Sequence, residues 1–174
     1  PKVLARVHDQ PFLNYLLAQL SRAGCRRVVL CTGYLGEQIE AEFGGGYGNI
    51  QIECCREPHP LGTGGGLRFA LPQLRSSSVL VLNGDSYCDV DIANFWQWQT
   101  RYEATASMVL VRVPDPQRYG RVEIDADGRV LSFEEKGNTQ GEGWINAGIY
   151  AISRQAISGL PVDRPVSLER ELLP

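Results

Sequence analysis

Apolar residues recur along this chain in two alternating rhythms. Phe12, Leu13, Leu16, Leu17 and Leu20 fall on one face of a helix, Gly24 closes it, and residues 27–32 follow as an apolar run of strand length. The same pairing then repeats. Residues 37–43 carry a short helical pattern, 50–55 a strand, 63–74 a helix interrupted by Pro72, 79–82 a strand and 91–102 a helix. Such alternation predicts a mostly parallel sheet covered on both faces and joined by right-handed crossovers. Beyond Thr105 the texture changes to strands at 106–112, 120–124, 130–136 and 145–152, with Asp125-Ala126-Asp127-Gly128 as a tight hairpin turn. The expected architecture is therefore α/β, its parallel portion followed by an antiparallel or mixed one. No internal repeat, low-complexity segment or linker interrupts it.

Within this pattern the run 79–82 stops abruptly at Asn83-Gly84-Asp85. Ligand crevices of open α/β sheets lie outside the carboxyl ends of strands, where a carboxylate is well placed to hold a metal and its phosphates. Asn-Gly-Asp alone is also ordinary turn chemistry. The functional reading gains weight from Pro60-Leu61-Gly62-Thr63-Gly64-Gly65-Gly66, which opens a segment with helical spacing. Small residues there let backbone N–H groups approach a ligand, and the positive helix end favours an anion or a carbonyl-rich base edge. The run has neither the Lys-Ser/Thr ending of a P-loop nor the spacing of the dinucleotide fingerprint.

Composition narrows the field. The chain has 174 residues, 43% of them hydrophobic, enough for one domain around one large core. Its 17 basic and 20 acidic residues give a net charge of −3, and no basic run points to nucleic acid, so any phosphate binding must be local. No apolar stretch approaches the roughly 20 residues that span a bilayer, and no signal peptide is visible, so no membrane partner is expected. Cys25, Cys31, Cys54, Cys55 and Cys88 are odd in number and lack metal-type spacing, which favours reduced thiols in a cytoplasmic protein. His8 and His59 sit beside turn formers and are expected at the surface. Phe95, Trp96 and Trp98 read as a helix packing face plus one exposed ring.

Taken together, these residues resemble the sugar-phosphate nucleotidyltransferases, enzymes that join a nucleoside triphosphate to a sugar 1-phosphate. The match runs through Pro1-Lys2, Pro11-Phe12-Leu13, Pro60-Leu61-Gly62-Thr63-Gly64, Asn83-Gly84-Asp85, Arg118-Tyr119-Gly120, Glu134-Glu135-Lys136 and Asn146-Ala147-Gly148-Ile149-Tyr150. Within the family, the wording from Asn83 to Asp91, Arg118 to Glu123, and Ser167-Leu168-Glu169 looks most like the D-glycero-α-D-manno-heptose 1-phosphate guanylyltransferases. The resemblance implies a Rossmann-like, three-layer fold of the GT-A-like kind with a mostly parallel mixed sheet. Two departures stand out. Members open with a strand and a Gly-Gly-x-Gly-Thr-Arg-Leu loop ahead of Pro-Lys, and carry a second aspartate in an Asp-Ile-Gly-Thr-Pro stretch near the carboxyl end; neither lies within these residues. Residues 1–174 are accordingly expected to be one nucleotidyltransferase domain, incomplete at both ends and inactive by itself.

The resemblance also implies roles. An oxygen of the sugar 1-phosphate attacks the α-phosphorus of GTP, or another nucleoside triphosphate, and pyrophosphate leaves; positioning and charge neutralisation carry such catalysis. Asp85 is the implied Mg²⁺ ligand, Lys2 the contact to the nucleotide phosphates and Lys136 the contact to the sugar phosphate. Leu61, Gly62, Thr63, Gly64 and Gly84 join Lys2 around the nucleotide. Tyr119, Gly120, Glu135, Asn146 and Gly148 surround the sugar, where Asn and Glu suit hydroxyls that both give and take protons. Mannose 1-phosphate with GTP and N-acetylmuramate 1-phosphate with UTP remain alternative substrate pairs. A noncatalytic regulatory subunit that binds nucleotide sugars is an alternative of another class, and assembly into a homo-oligomer is left open.

Overall fold

The structure, a computed structural model, describes residues 1–134, 141–162 and 164–173. It opens with a 3-10 turn at Lys2–Leu4 and a small antiparallel pair, β1 (Arg6–Val7) and β2 (Gln10–Pro11). Helix α1 (Phe12–Arg22) follows, with Leu13, Leu16, Leu17 and Leu20 buried as their spacing requires, and Gly24 at φ +80° ends it. Next come β3 (Arg27–Thr32), α2 (Gly36–Phe43), β4 (Gln51–Arg56), α3 (Gly62–Phe69), a 3-10 turn at Leu71–Gln73 holding Pro72, and β5 (Ser78–Leu82). Helix α4 (Ile92–Tyr102) starts at Asp91, whose side chain accepts the Asn94 N–H. The second half contains β6 (Ala106–Val113), β7 (Arg121–Ile124), β8 (Val130–Glu134), β9 (Gly143–Ser153), α5 (Arg154–Ser158) and α6 (Leu168–Glu171).

The α/β class and the three layers are both present. Along β5, Val79 and Val81 join a core with Leu67, Tyr150, Ile157 and Leu168, whereas Leu80 and Leu82 join the opposite core with Leu16, Leu17, Ile39 and Ile92. A period of two on a strand buried from both sides leaves one helical layer on each face.

The sheet is less parallel than its sequence rhythm predicts. Among the described residues, β3 and β4 form the only parallel pair, and they share no ladder with the rest. β5 instead pairs antiparallel with β9, Val79 facing Ile152 and Leu82 facing Ile149. The cause is the length of β9: its 11 residues lie along β6 on one edge, while β7 and β5 share the other. The strand ending in Asn-Gly-Asp thus takes its neighbour from the far end of the chain. Hairpin β7–β8 turns through Asp125 and Gly128 as expected, with Asp125 Oδ1 accepting the N–H groups of Asp127 and Arg129.

Several smaller expectations also find their places. His8 and His59 are exposed. All five cysteines are free. On α4, Phe95 and Trp96 are half-buried, Trp98 is exposed against Tyr102, and the fully buried positions are Ile92 and Gln99. No helix among the described residues is long and apolar enough to cross a membrane.

Candidate active site

Three pieces of chain converge at the carboxyl end of β5. The first is the amino-terminal turn: Lys2 Nζ lies 3.4 Å from Asp85 Oδ2, and both side chains are at least half exposed. Val3 covers Gly84 closely enough that a Cβ there would sit 3.1 Å from Val3 Cγ1. An exposed ion pair of this length contributes little to stability, so both charges are available to a ligand. Gln19 steadies the loop from beneath, its amide nitrogen donating to the carbonyls of Cys88 and Val90.

The second piece is a bulge in β9. Between the pairs Met108–Tyr150 and Leu110–Asn146 the register shifts, β9 supplying more residues than β6. Gly148 takes φ +74° there, and its carbonyl accepts the Asn83 N–H at 2.8 Å. A side chain at Gly148 would collide with Asn83, its Cβ falling 2.8 Å from Asn83 Nδ2. The bulge re-aims Asn146 so that its Oδ1 accepts the Gly148 N–H at 2.8 Å and its Nδ2 donates to the Tyr150 hydroxyl at 2.6 Å. Asn146 is therefore a polar group held inside a strand and not a turn residue.

The third piece is the start of α3, whose glycines serve an unexpected purpose. The Val166 carbonyl accepts the Gly64 and Gly65 N–H groups at 2.8 and 3.3 Å, and the Val166 N–H returns a bond to the Leu61 carbonyl at 2.8 Å. The Leu61 N–H is taken by Glu57 at 3.1 Å. Gly62, at φ +75°, has Val166 O where a Cβ would stand. The glycine run thus seats residues 164–168 against the helix start, and the donors expected at Leu61 and Gly64 are already spent within the protein. Those of Gly62 and Thr63, the first turn, have no acceptor among the described residues.

Glu169 joins the second and third pieces. Its Oε1 accepts the Tyr150 hydroxyl at 2.9 Å, and its Oε2 accepts the Ser167 and Thr63 hydroxyls at 2.9 and 3.2 Å. Burial alone would raise its pKa, but hydrogen bonds from its own N–H, Ser167, Tyr150 and Thr63 hold it below the ordinary 4.5. Tyr150, wholly buried, has its hydroxyl pushed the other way, first by burial and then by the neighbouring Glu169 charge.

Of the residues singled out from sequence, Lys2, Gly84, Asp85, Asn146 and Gly148 meet at one end of the sheet, and the Leu61–Gly64 turn reaches them through Glu169. Tyr119 is exposed on the surface, with Gly120 after it at φ +82°; neither has a side-chain bond to this cluster among the described residues. Glu135 and Lys136 lie outside the described residues. Asn83, Tyr150 and Glu169 had no role implied by the sequence, although all three sit inside its motifs.

An acid and a lysine at a strand end, beside a glycine-rich helix start in a three-layer α/β fold, form an arrangement chemically suited to phosphorylated ligands. Residues 1–164 match the nucleotidyl transferase family, and the chain belongs to it. The chain is 39% identical to the mannose-1-phosphate guanylyltransferase of Mycobacterium tuberculosis over 100% of its own length and 49% of that protein. It is 34% identical to the D-glycero-alpha-D-manno-heptose 1-phosphate guanylyltransferase of Aneurinibacillus thermoaerophilus, covering 99% of this chain and 74% of the relative. The crystal structure of HddC from Yersinia pseudotuberculosis complexed with GMP-PN superposes with a TM-score of 0.89 at 34% identity, over 100% of this chain and 76% of that one. The chain thus spans about half the length of the mannose enzyme and about three quarters of the heptose enzymes. Proteins of this family generally use a divalent metal and act on a nucleoside triphosphate and a sugar 1-phosphate.

Proposed function

We propose that the protein carrying this chain transfers GMP from GTP to a sugar 1-phosphate, with D-glycero-α-D-manno-heptose 1-phosphate as the preferred acceptor, releasing pyrophosphate and forming GDP-heptose. The single observation that carries the reading is the Lys2–Asp85 pair at the end of β5, opposite the bulge of Asn146 and Gly148. Residues 1–174 act in it as part of one nucleotidyltransferase domain.

In this reading an oxygen of the sugar phosphate displaces pyrophosphate at the α-phosphorus, and no covalent enzyme intermediate forms. Lys2 neutralises nucleotide phosphate charge, and the open first turn at Gly62 and Thr63 donates to the nucleotide, with Gly84 lying beneath it. Leu61 and Gly64 shape that turn. Asn146 still has one amide hydrogen and one oxygen lone pair to offer a sugar hydroxyl after its internal bonds. Tyr119, Gly120 and Glu135 complete the sugar subsite, and Lys136 meets the sugar phosphate.

The donor set also fits a divalent cation. No group of three or more His, Cys, Asp or Glu side chains stands ready to cage a metal among the described residues. A single open carboxylate, Asp85, suits Mg²⁺, which is commonly held by one or two carboxylates together with substrate phosphates. Bound there, the ion would supply charge neutralisation at the phosphates.

The mannose reading rests on the 39% identity to the Mycobacterium tuberculosis enzyme. Steady-state kinetics over a panel of GTP and UTP against heptose, mannose and N-acetylmuramate 1-phosphates tests the choice. The heptose reading requires the highest kcat/KM with GTP and heptose 1-phosphate. Preference for mannose 1-phosphate selects the second reading, and nucleotide-sugar binding without turnover on any pair selects the regulatory subunit.

A further inference from the structure

We propose that Glu169 is a positioning residue that couples the two substrate subsites, one carboxylate oxygen orienting Asn146 through Tyr150 and the other holding Thr63 at the nucleotide loop. The proposal rests on the transfer reading above for the identity of the subsites. It adds a residue that lies outside both.

Hydrogen-bond direction ties the two subsites to one carboxylate. The Gly148 N–H can only donate, so the Asn146 oxygen must face it and the Asn146 NH₂ must face Tyr150. The Tyr150 hydroxyl, accepting from Asn146, must send its own proton elsewhere, and Glu169 Oε1 takes it. On its other oxygen Glu169 accepts from Thr63 and Ser167. Every bond in the chain therefore points toward one carboxylate, and only an acceptor at both oxygens satisfies it. A polar chain of this kind, partly buried and centred on the buried Tyr150, fixes the orientation of the group at its end.

Glutamine at this position keeps the shape and breaks the direction. Its NH₂ would face a Tyr150 hydroxyl that already accepts from Asn146, or would face the Thr63 and Ser167 hydroxyls. Either way Asn146 or Thr63 loses its fixed orientation. The surrounding segment stays anchored by other means, because Val166 is tied by main-chain bonds to Leu61 and Gly64, Leu168 is buried, and Glu171 pairs with Arg164.

The test compares Glu169→Gln, Tyr150→Phe and Glu171→Gln, the last removing an ion pair on the same short helix without touching either subsite. With the sugar 1-phosphate that the wild type uses, Glu169→Gln is expected to raise KM for both substrates about tenfold, and Tyr150→Phe to raise only that of the sugar phosphate. Glu171→Gln is expected to leave both KM values within about twofold of wild type. Equal effects of Glu169→Gln and Glu171→Gln, or no change in either KM, would overturn the coupling. A second readout needs no turnover: the Asn146 side-chain amide pair in a ¹H–¹⁵N spectrum is expected to shift or broaden in Glu169→Gln and Tyr150→Phe. An unchanged pair in both variants refutes the orienting role. Absence of transfer by the wild type would instead defeat the functional reading, and the amide spectrum would still decide the role of Glu169.

Discussion

Replacing Gly148 by alanine probes the bulge on which the site depends. The cost has two sources that the structure separates. At φ +74° an L residue pays for a left-handed backbone, about 1–2 kcal/mol. Its Cβ would also fall 2.8 Å from Asn83 Nδ2 and 3.0 Å from Asn83 Cβ, so the Asn83 side chain must leave its place beside the Tyr150 hydroxyl. One displaced hydrogen bond adds about 1 kcal/mol, for a total of about 2–3 kcal/mol. For a domain of this size that lowers Tm by about 5–10 °C in a thermal melt. Gly128→Ala is the control, because Gly128 has φ +80° but nothing within 4 Å of where its Cβ would stand, leaving the backbone cost alone. Gly148→Ala should therefore melt below Gly128→Ala and lose turnover as well, since Asn83 precedes the Gly84-Asp85 turn. Equal melting temperatures for the two variants, with normal turnover in Gly148→Ala, would refute the claim that the bulge is packed against Asn83 to aim the site.

Other expectations bear on the remaining parts. Asp85→Asn should lower kcat about a hundredfold at saturating Mg²⁺, and a variant keeping more than about half of wild-type kcat would reduce Asp85 to a turn residue. Gly62→Ala should release residues 164–168, because the Cβ would meet the Val166 carbonyl; faster tryptic cleavage after Arg170 is the expected sign, and a wild-type digestion rate contradicts it. Glu169 is held below 4.5 by the hydrogen bonds that outweigh its burial, and Glu53 and Glu171 chiefly by their hydrogen bonds from Arg27 and Arg164. A depressed carboxylate stabilises the fold above its unfolded value, and that share is lost as pH falls through the folded one. Tm should thus hold down to about pH 5 and fall at lower pH, with a shallower fall in Glu169→Gln; the same slope in both would exclude Glu169 from the effect.

Local features were the most legible in the sequence. The leucine spacing of α1, the Asp125 turn and the stop of β5 at Asn83 each depend on residues a few positions apart, and each stands where it was expected. The partner of β5 was not legible, because nothing within residues 78–82 says whether their N–H and C=O groups will meet a parallel neighbour or β9 some seventy residues later. The glycine run shows the same limit at the site. Small residues signal close approach without naming what approaches, and here the Val166 backbone fills much of the space expected for a ligand. Glu169 was hidden for a related reason: its meaning comes from Tyr150 and Thr63, which only the folded chain brings to its two oxygens.

The most direct test of the account is ³¹P NMR of the whole protein that carries this chain, and not of residues 1–174 alone, with GTP, Mg²⁺ and D-glycero-α-D-manno-heptose 1-phosphate. The expected result is equimolar growth of pyrophosphate and a coupled pair of diphosphate resonances from GDP-heptose, both abolished in Asp85→Asn. Unchanged GTP and sugar phosphate signals, or conversion of GTP to GDP and inorganic phosphate, would contradict it.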